Sequence, residues 1–283
     1  MCRITRVVSA AANAEFYWPA SAPDWVPWKR AKRRARAALH GLIDRHLQAR
    51  LAQPQDAWPD DLLTRLLQLH RDAPTVWPLH AVRDECMTAF LAGHETTAAT
   101  LIWWAWCMAS NPAAQALARR EVQQTLQGHA PSPDTLASLP YLTQTIKETL
   151  RLYPAAPVLV SRRCTRPITL GTRQLPARTM FLIPVQVMHH DPRWFPEPLA
   201  FRPERFALDA LELPRARGAY LPFGTGPRVC LGQHLAMSEM TVIAAMLLQR
   251  LTLSVPDNMQ PPHPVMNVTL RPDQPLHLAI APA

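Results

Sequence analysis

The chain has 283 residues, enough to bury a substantial core as one large or two small domains. Its 48% apolar and 18% charged residues exclude a disordered class, and a formal charge of +9 suits an acidic protein, nucleic acid or an anionic surface without choosing among them. Thirty prolines against eight glycines, the prolines denser after residue 150, predict long non-helical segments in the second half. The five cysteines (Cys2, Cys86, Cys107, Cys164 and Cys230) are odd in number, widely spaced and free of any CxxC. That pattern excludes a disulfide framework and a zinc ribbon, and it favours a reducing, cytoplasmic setting.

Residues 1–24 show no hydrophobic period and are read as an irregular extension, its short Val-Val-Ser-Ala-Ala-Ala run too weak for a signal peptide. From Trp25 a helical pattern sets Trp28, Ala31, Ala35, Ala38, Leu39, Leu42 and Ile43 on one side. Lys29, Arg30, Lys32, Arg33, Arg34 and Arg36 fall on the other, read as a solvated face. Pro54 to Pro59 breaks this helix, and Asp60 or Asp61 can cap a second one through Leu69. A long apolar helix is expected from about Leu79 to Ala109. Its 87–109 stretch matches a bilayer in length, but Glu95 beside His94 is costly in lipid, so a buried core helix is expected and no transmembrane segment. Pro112 opens the next helix to Leu126, and Leu139 to Leu152 forms another that ends at Pro154.

After Val158 the texture turns to short β-prone runs at 158–160, 168–170 and 180–183. An irregular stretch from His189 to Pro222 leads into a loop, and a helix follows over about Leu231 to Gln249. The tail adds β-prone runs at 251–253, 268–270 and 276–278. The predicted class is mainly α with small β-sheets. No repeat and no phosphate-binding glycine loop is visible.

Three constellations carry chemistry. In the loop, Phe223, Gly226, Arg228, Cys230 and Gly232 lie within ten positions. A cysteine just before a helix has its sulfur near unpaired N–H groups, and as thiolate it is a strong soft ligand for iron. Arg228 suits a fixed carboxylate, and the glycines let backbone pass close to something flat. Glu148 and Arg151, three apart on a helix, would usually be a surface ion pair. Arg205 in Pro-Glu-Arg-Phe changes that reading, because one carboxylate between two guanidiniums can pin an irregular segment to the helices. Third, Ala92-Gly93-His94-Glu95-Thr96-Thr97 places a glycine and a threonine mid-helix, inviting a local groove, with Glu95 and Thr96 able to relay protons. One of His189 and His190 is read as a donor to a cofactor carboxylate.

Taken together, these motifs resemble the cytochrome P450 family of haem-thiolate monooxygenases. The Phe-x-x-Gly-x-Arg-x-Cys-x-Gly signature runs from Phe223 to Gly232, Glu-x-x-Arg is Glu148 to Arg151, Pro-Glu-Arg-Phe is Pro203 to Phe206, and the oxygen-binding groove matches Ala92 to Thr97. The resemblance covers Trp25 to the C-terminus and implies a cytochrome P450 fold, C-terminal part, as one partial domain over 25–283. It implies haem b (iron protoporphyrin IX) with Cys230 as the iron ligand, and Phe223, Gly226, Gly232, Ala92 and Gly93 around the cofactor. Arg228 and Arg162 would meet the propionates. Glu95 and Thr96 would deliver protons, and Glu148, Arg151 and Arg205 would form the structural triad. It further implies a small apolar organic substrate, O2 and an external electron donor: a ferredoxin, a flavodoxin-like protein or a reductase. No nucleic acid is expected as a partner. Family members carry many more residues ahead of the groove motif, so the chain is expected to be a truncated member. The alternative function is then a non-catalytic haem-thiolate fragment.

Overall fold

Apolar residues spaced four apart make the first described element. The computed structural model describes residues 27–210 and 218–283. Helix α1 (Pro27–Leu51) buries Ala35, Leu39, Ile43 and Leu47, while Arg33, Arg34 and Arg36 are exposed. Ala38, expected on the apolar side, is exposed instead, because the buried stripe keeps strict i,i+4 spacing. Helix α2 (Leu62–Asp72) starts at Asp61, whose carboxylate accepts from the Thr64 amide at 2.8 Å and takes both ends of the Arg50 guanidinium. That pairing holds the Asp61 carboxyl well below the usual range. The expectation for residues 1–24 lies outside the described residues.

Helix α3 (Leu79–Ser110) is an unbroken α-helix of 32 residues. The chain divides into two compact units at its middle, between Glu95 and Thr96. In the first unit Ile43, Leu47, Leu66, Leu67 and Val82 form a small core, with Trp58, Trp77, Cys86 and Met87 packed against it.

The second unit holds the larger core. Helices α4 (Pro112–Leu126), α5 (Pro133–Leu136), α6 (Pro140–Leu152), α7 (Val185–His189) and α8 (Gln233–Arg250) follow in chain order. Trp104 and Met108 of α3 pack with Ala118 and Val122 of α4, Leu142 and Ile146 of α6, and Met240, Ala244 and Leu248 of α8. Burying a Leu or Ile side chain of this kind contributes about 1.5–3 kcal/mol. Several polar groups of these helices are paired inside. Trp104 Nε1 donates to Thr145 Oγ1 at 2.9 Å, and Gln115 Nε2 reaches the Met108 and Leu253 carbonyls. Glu121 accepts from the Tyr141 and Leu142 amides, both at 2.8 Å, so a neighbouring helix supplies the cap that Leu139 cannot.

Among the described residues, four two-stranded antiparallel sheets accompany these helices. β1 (Leu159–Arg163) pairs with β4 (Met180–Ile183) through a bulge between Leu159 and Arg162, and β2 (Ile168–Leu170) makes a hairpin with β3 (Arg173–Leu175). β5 (Leu251–Ser254) pairs with β8 (Ala279–Pro282), and β6 (Pro264–Asn267) with β7 (Thr269–Pro272). The strand expected at 276–278 lies instead at 279–282, where Leu251 to Ser254 offers a partner ladder. Hydrophobicity marked the neighbourhood, whereas pairing set the register. The tail is anchored where Trp103 Nε1 donates to the Leu270 carbonyl at 3.0 Å, its ring stacked on Tyr153 at 3.9 Å. Among the described residues, no helix is long and apolar enough to cross a membrane.

Candidate haem-thiolate site

The brace below the loop is built on α6. Glu148 and Arg151 sit in its last turns and are fully buried. The carboxylate is bidentate to Arg151, with Nε to Oε2 at 2.7 Å and Nη2 to Oε1 at 2.8 Å. Oε1 also accepts from the Arg202 amide at 2.9 Å and from Arg205 Nε at 3.3 Å. The remaining donors of Arg151 go to the carbonyls of His189, Pro198 and Ala200, and Arg205 Nη2 donates to Glu197 O. The guanidinium of Arg151 also lies 5.2 Å from the Phe195 ring centroid. A buried pair would be costly if any donor were left over; here the irregular 197–206 segment supplies the acceptors. The short 3-10 turn Pro203–Phe206 brings Arg205 into this arrangement.

The histidine pair differs from its expectation. His189 is fully buried, with Nδ1 3.2 Å from the Arg151 carbonyl and Nε2 accepting from the Leu221 amide at 2.9 Å. His190 Nε2 donates to the Leu152 carbonyl at 3.0 Å. Both rings serve the C-terminal end of α6, whose last carbonyls have no intrahelical partner. The reading of either ring as donor to a cofactor carboxylate is thereby replaced. Burial lowers both, His189 to about 3.

The loop itself is held by backbone. Gly224 N donates to Leu221 O at 3.1 Å, Cys230 N to Phe223 O at 2.9 Å, and Val229 N to Gly226 O at 3.1 Å across the 3-10 turn Gly226–Arg228. Gly224 and Gly226 have φ of +72° and +69°, which only glycine adopts without strain. Phe223 packs against the helical core from the partly buried side. Arg228, Cys230 and Gly232 are exposed, and helix α8 begins just beyond with Gly232 as its N-cap residue. Exposed apolar side chains surround the sulfur in sequence: Val229, Leu231 at 89% and Leu235 at 73%. Gly232 has φ of −87°, and a Cβ there would meet nothing within 4 Å, so neither backbone nor neighbours of this chain require a glycine. Arg162 lies on β1 opposite Phe181, half-buried.

On α3, Ala92 and Gly93 are exposed and Glu95 and Thr96 half-buried. The helix runs through Gly93 without a break. A back-bond is present one turn on, where Thr100 Oγ1 donates to the Thr96 carbonyl at 3.0 Å, and Thr100 itself is buried. A mid-helix glycine costs about 0.5–1 kcal/mol against alanine, yet a Cβ at Gly93 would also meet nothing within 4 Å.

These residues fit a haem. Among the described residues, no group of three or more His, Cys, Asp or Glu could hold a metal. A haem iron needs only one such protein thiolate. An exposed sulfur amid exposed apolar side chains and glycines suits such a flat, apolar group.

Residues 2–279 match the family model described as Cytochrome P450. The chain belongs to the cytochrome P450 family. It is 36% identical over 244 residues to cytochrome P450 132 of Mycobacterium tuberculosis, covering 85% of this chain and 50% of that protein. It is 37% identical to cyclooctat-9-en-7-ol 5-monooxygenase of Streptomyces melanosporofaciens (79% of this chain, 48% of the relative). To cytokinin hydroxylase of Arabidopsis thaliana it is 33% identical (90% and 49%). The chain spans about half the length of the curated relatives it matches. Its mainly helical architecture with small antiparallel sheets is that of the cytochrome P450 fold.

Proposed function

We propose that this P450 chain carries the haem-thiolate centre of a monooxygenase acting on a small apolar organic molecule. The observation that carries the reading is Cys230: an exposed sulfur in a backbone-fixed loop, flanked in sequence by unburied apolar side chains. When bound, haem b supplies the iron chemistry by which one atom of O2 enters the substrate and the other leaves as water. The chain's own residues do the rest. Cys230 would donate electron density from sulfur, and Phe223 would pack near the thiolate side of the haem and tune it. Arg228 and Arg162 neutralise the cofactor's carboxylates. Gly226 and Gly232 keep side chains out of its way. Ala92 and Gly93 leave room along their own helix, and Glu95 and Thr96 form an acid–alcohol pair that moves protons. Electrons come from a separate donor, a ferredoxin, a flavodoxin-like protein or a reductase; the net basic charge suits an acidic one.

The test is to load the purified chain with haem, reduce it and add carbon monoxide. A red-shifted thiolate-type Soret band that Cys230→Ala abolishes is expected. In a turnover assay Thr96→Ala diverts electrons to peroxide; unchanged coupling would remove Thr96 from proton delivery. A second reading has its own observation, the outward exposure of Arg228, Val229, Cys230, Leu231 and Leu235. A thiolate band without turnover in the presence of a competent donor would establish a haem-thiolate fragment that is not an enzyme by itself.

A further inference from the structure

The His189 ring lies between a backbone N–H and a backbone carbonyl. Leu221 N can only donate, so His189 Nε2 must carry a lone pair and the ring proton sits on Nδ1. That Nδ1–H points at the Arg151 carbonyl, which can only accept, 3.2 Å away. Arg151 returns the contact, its Nη1 donating to the His189 carbonyl at 2.8 Å. The imidazole is also gripped on its faces, lying 5.2 Å from Tyr220 in a near-parallel stack and meeting Phe195 edge-on at 6.3 Å. Tyr220 Oη donates to the Lys147 carbonyl at 3.0 Å, so the residue before Leu221 is tied to α6 as well.

A histidine that only filled the core could satisfy its second nitrogen on any local group. This one spends it on the amide that opens the cysteine loop. From Leu221 the path is continuous: its carbonyl accepts from Gly224, and Phe223 O accepts from Cys230 N. We propose that His189 is a positioning residue for the Cys230 sulfur: its neutral, Nδ1-protonated ring couples the Glu148–Arg151 brace to the start of the loop and so fixes where the loop presents the sulfur. This rests on the reading of Cys230 as the iron ligand. Its structural half, the link itself, is independent of haem. Burial keeps the ring neutral, since its charged form is disfavoured down to about pH 3.

The experiment uses the full chain and three variants. His189→Gln can keep an acceptor near the Leu221 amide, His189→Asn keeps only a donor near Arg151 O, and His189→Phe keeps the stacked ring alone. In the haem-free chain, 15N shifts should show the Nδ1-protonated tautomer, and hydrogen exchange at the Leu221 amide should rise at least tenfold in the Asn and Phe variants but not in Gln. The Nε2-protonated tautomer, or unchanged Leu221 exchange in both Asn and Phe, overturns the link. After haem loading and reduction, the carbon monoxide complex of the Asn and Phe variants should lose at least half of its thiolate-type band in favour of an unshifted one, with Gln close to wild type. Equal bands in all four proteins overturn the positioning role. Should His189→Phe fail to fold, the Gln and Asn pair decides by the same readings. A wild-type chain with no thiolate band refutes the haem reading of Cys230, while tautomer and exchange still decide whether His189 links brace and loop.

Discussion

The brace and the loop are neighbours in the fold and opposites in physics. Glu148, Arg151, Arg205 and His189 are buried, and their paired atoms find partners within the chain, down to the carbonyls at 189, 198 and 200. The loop from Leu221 to Gly232 is held by backbone hydrogen bonds and by Phe223 packed on the core, and from Thr225 onward it is exposed. Burial is thus concentrated in the brace and exposure in the loop proposed to meet the haem. Three side chains and a ring hold the brace; two glycines with positive φ and three backbone hydrogen bonds shape the loop.

That contrast can be broken deliberately, and the largest effect belongs to the brace. Glu148→Ala leaves Arg151 and Arg205 buried without their carboxylate and should destabilise the second unit by about 3–5 kcal/mol, read by urea denaturation. Arg205→Leu should cost less, about 1–3 kcal/mol, because Glu148 keeps its bidentate partner and loses only the 3.3 Å contact. A loss in Arg205→Leu as large as in Glu148→Ala would mean the triad acts as one indivisible unit.

The next effect depends on pH. His189 has its folded-state value lowered to about 3 from an ordinary 6.5, by burial first, with Arg151 and His190 as the charged and titratable groups beside it and Tyr220 stacked on it. The unfolded chain therefore binds one more proton between these values. The stabilisation from neutral His189 is fully present above about pH 6.5 and is lost as pH falls toward 3, by at most about 1.4 kcal/mol per pH unit. His189→Gln should lack this component, so the difference between the two stability-against-pH curves isolates it from titrating carboxylates. The smallest effect belongs to the loop. Cys230→Ala and Leu235→Ser should change stability by no more than about 0.5 kcal/mol, since both side chains are exposed, yet both should weaken haem retention. A loop substitution that unfolds the chain would erase the distinction between the two regions.

Much of this contrast was legible in sequence, for reasons that differ by residue. The helices Pro112–Leu126 and Pro140–Leu152 are marked by proline at their first positions and by apolar spacing, and the helix from Leu79 by its long apolar run. The loop is legible because its chemistry is local: cysteine, arginine and glycines at fixed spacings. The short helices Pro133–Leu136 and Val185–His189 were not, because one or two turns carry no period. Strand Ala279–Pro282 was misplaced because register belongs to its partner. His189, Glu121 and Gln115 were missed as structural residues because their partners lie far along the chain, as with Leu221, Tyr141 and Leu253. A weak signal for His189 did exist, since adjacent histidines seldom share one ion and so invite separate roles.

The central claim, that Cys230 presents a thiolate to haem iron from an exposed loop braced from below, is most directly tested by X-ray absorption at the iron edge of the haem-loaded chain. The account predicts one sulfur scatterer in the first shell of iron, absent in Cys230→Ala. A first shell of nitrogen and oxygen alone in the wild-type chain, with haem bound, would contradict it.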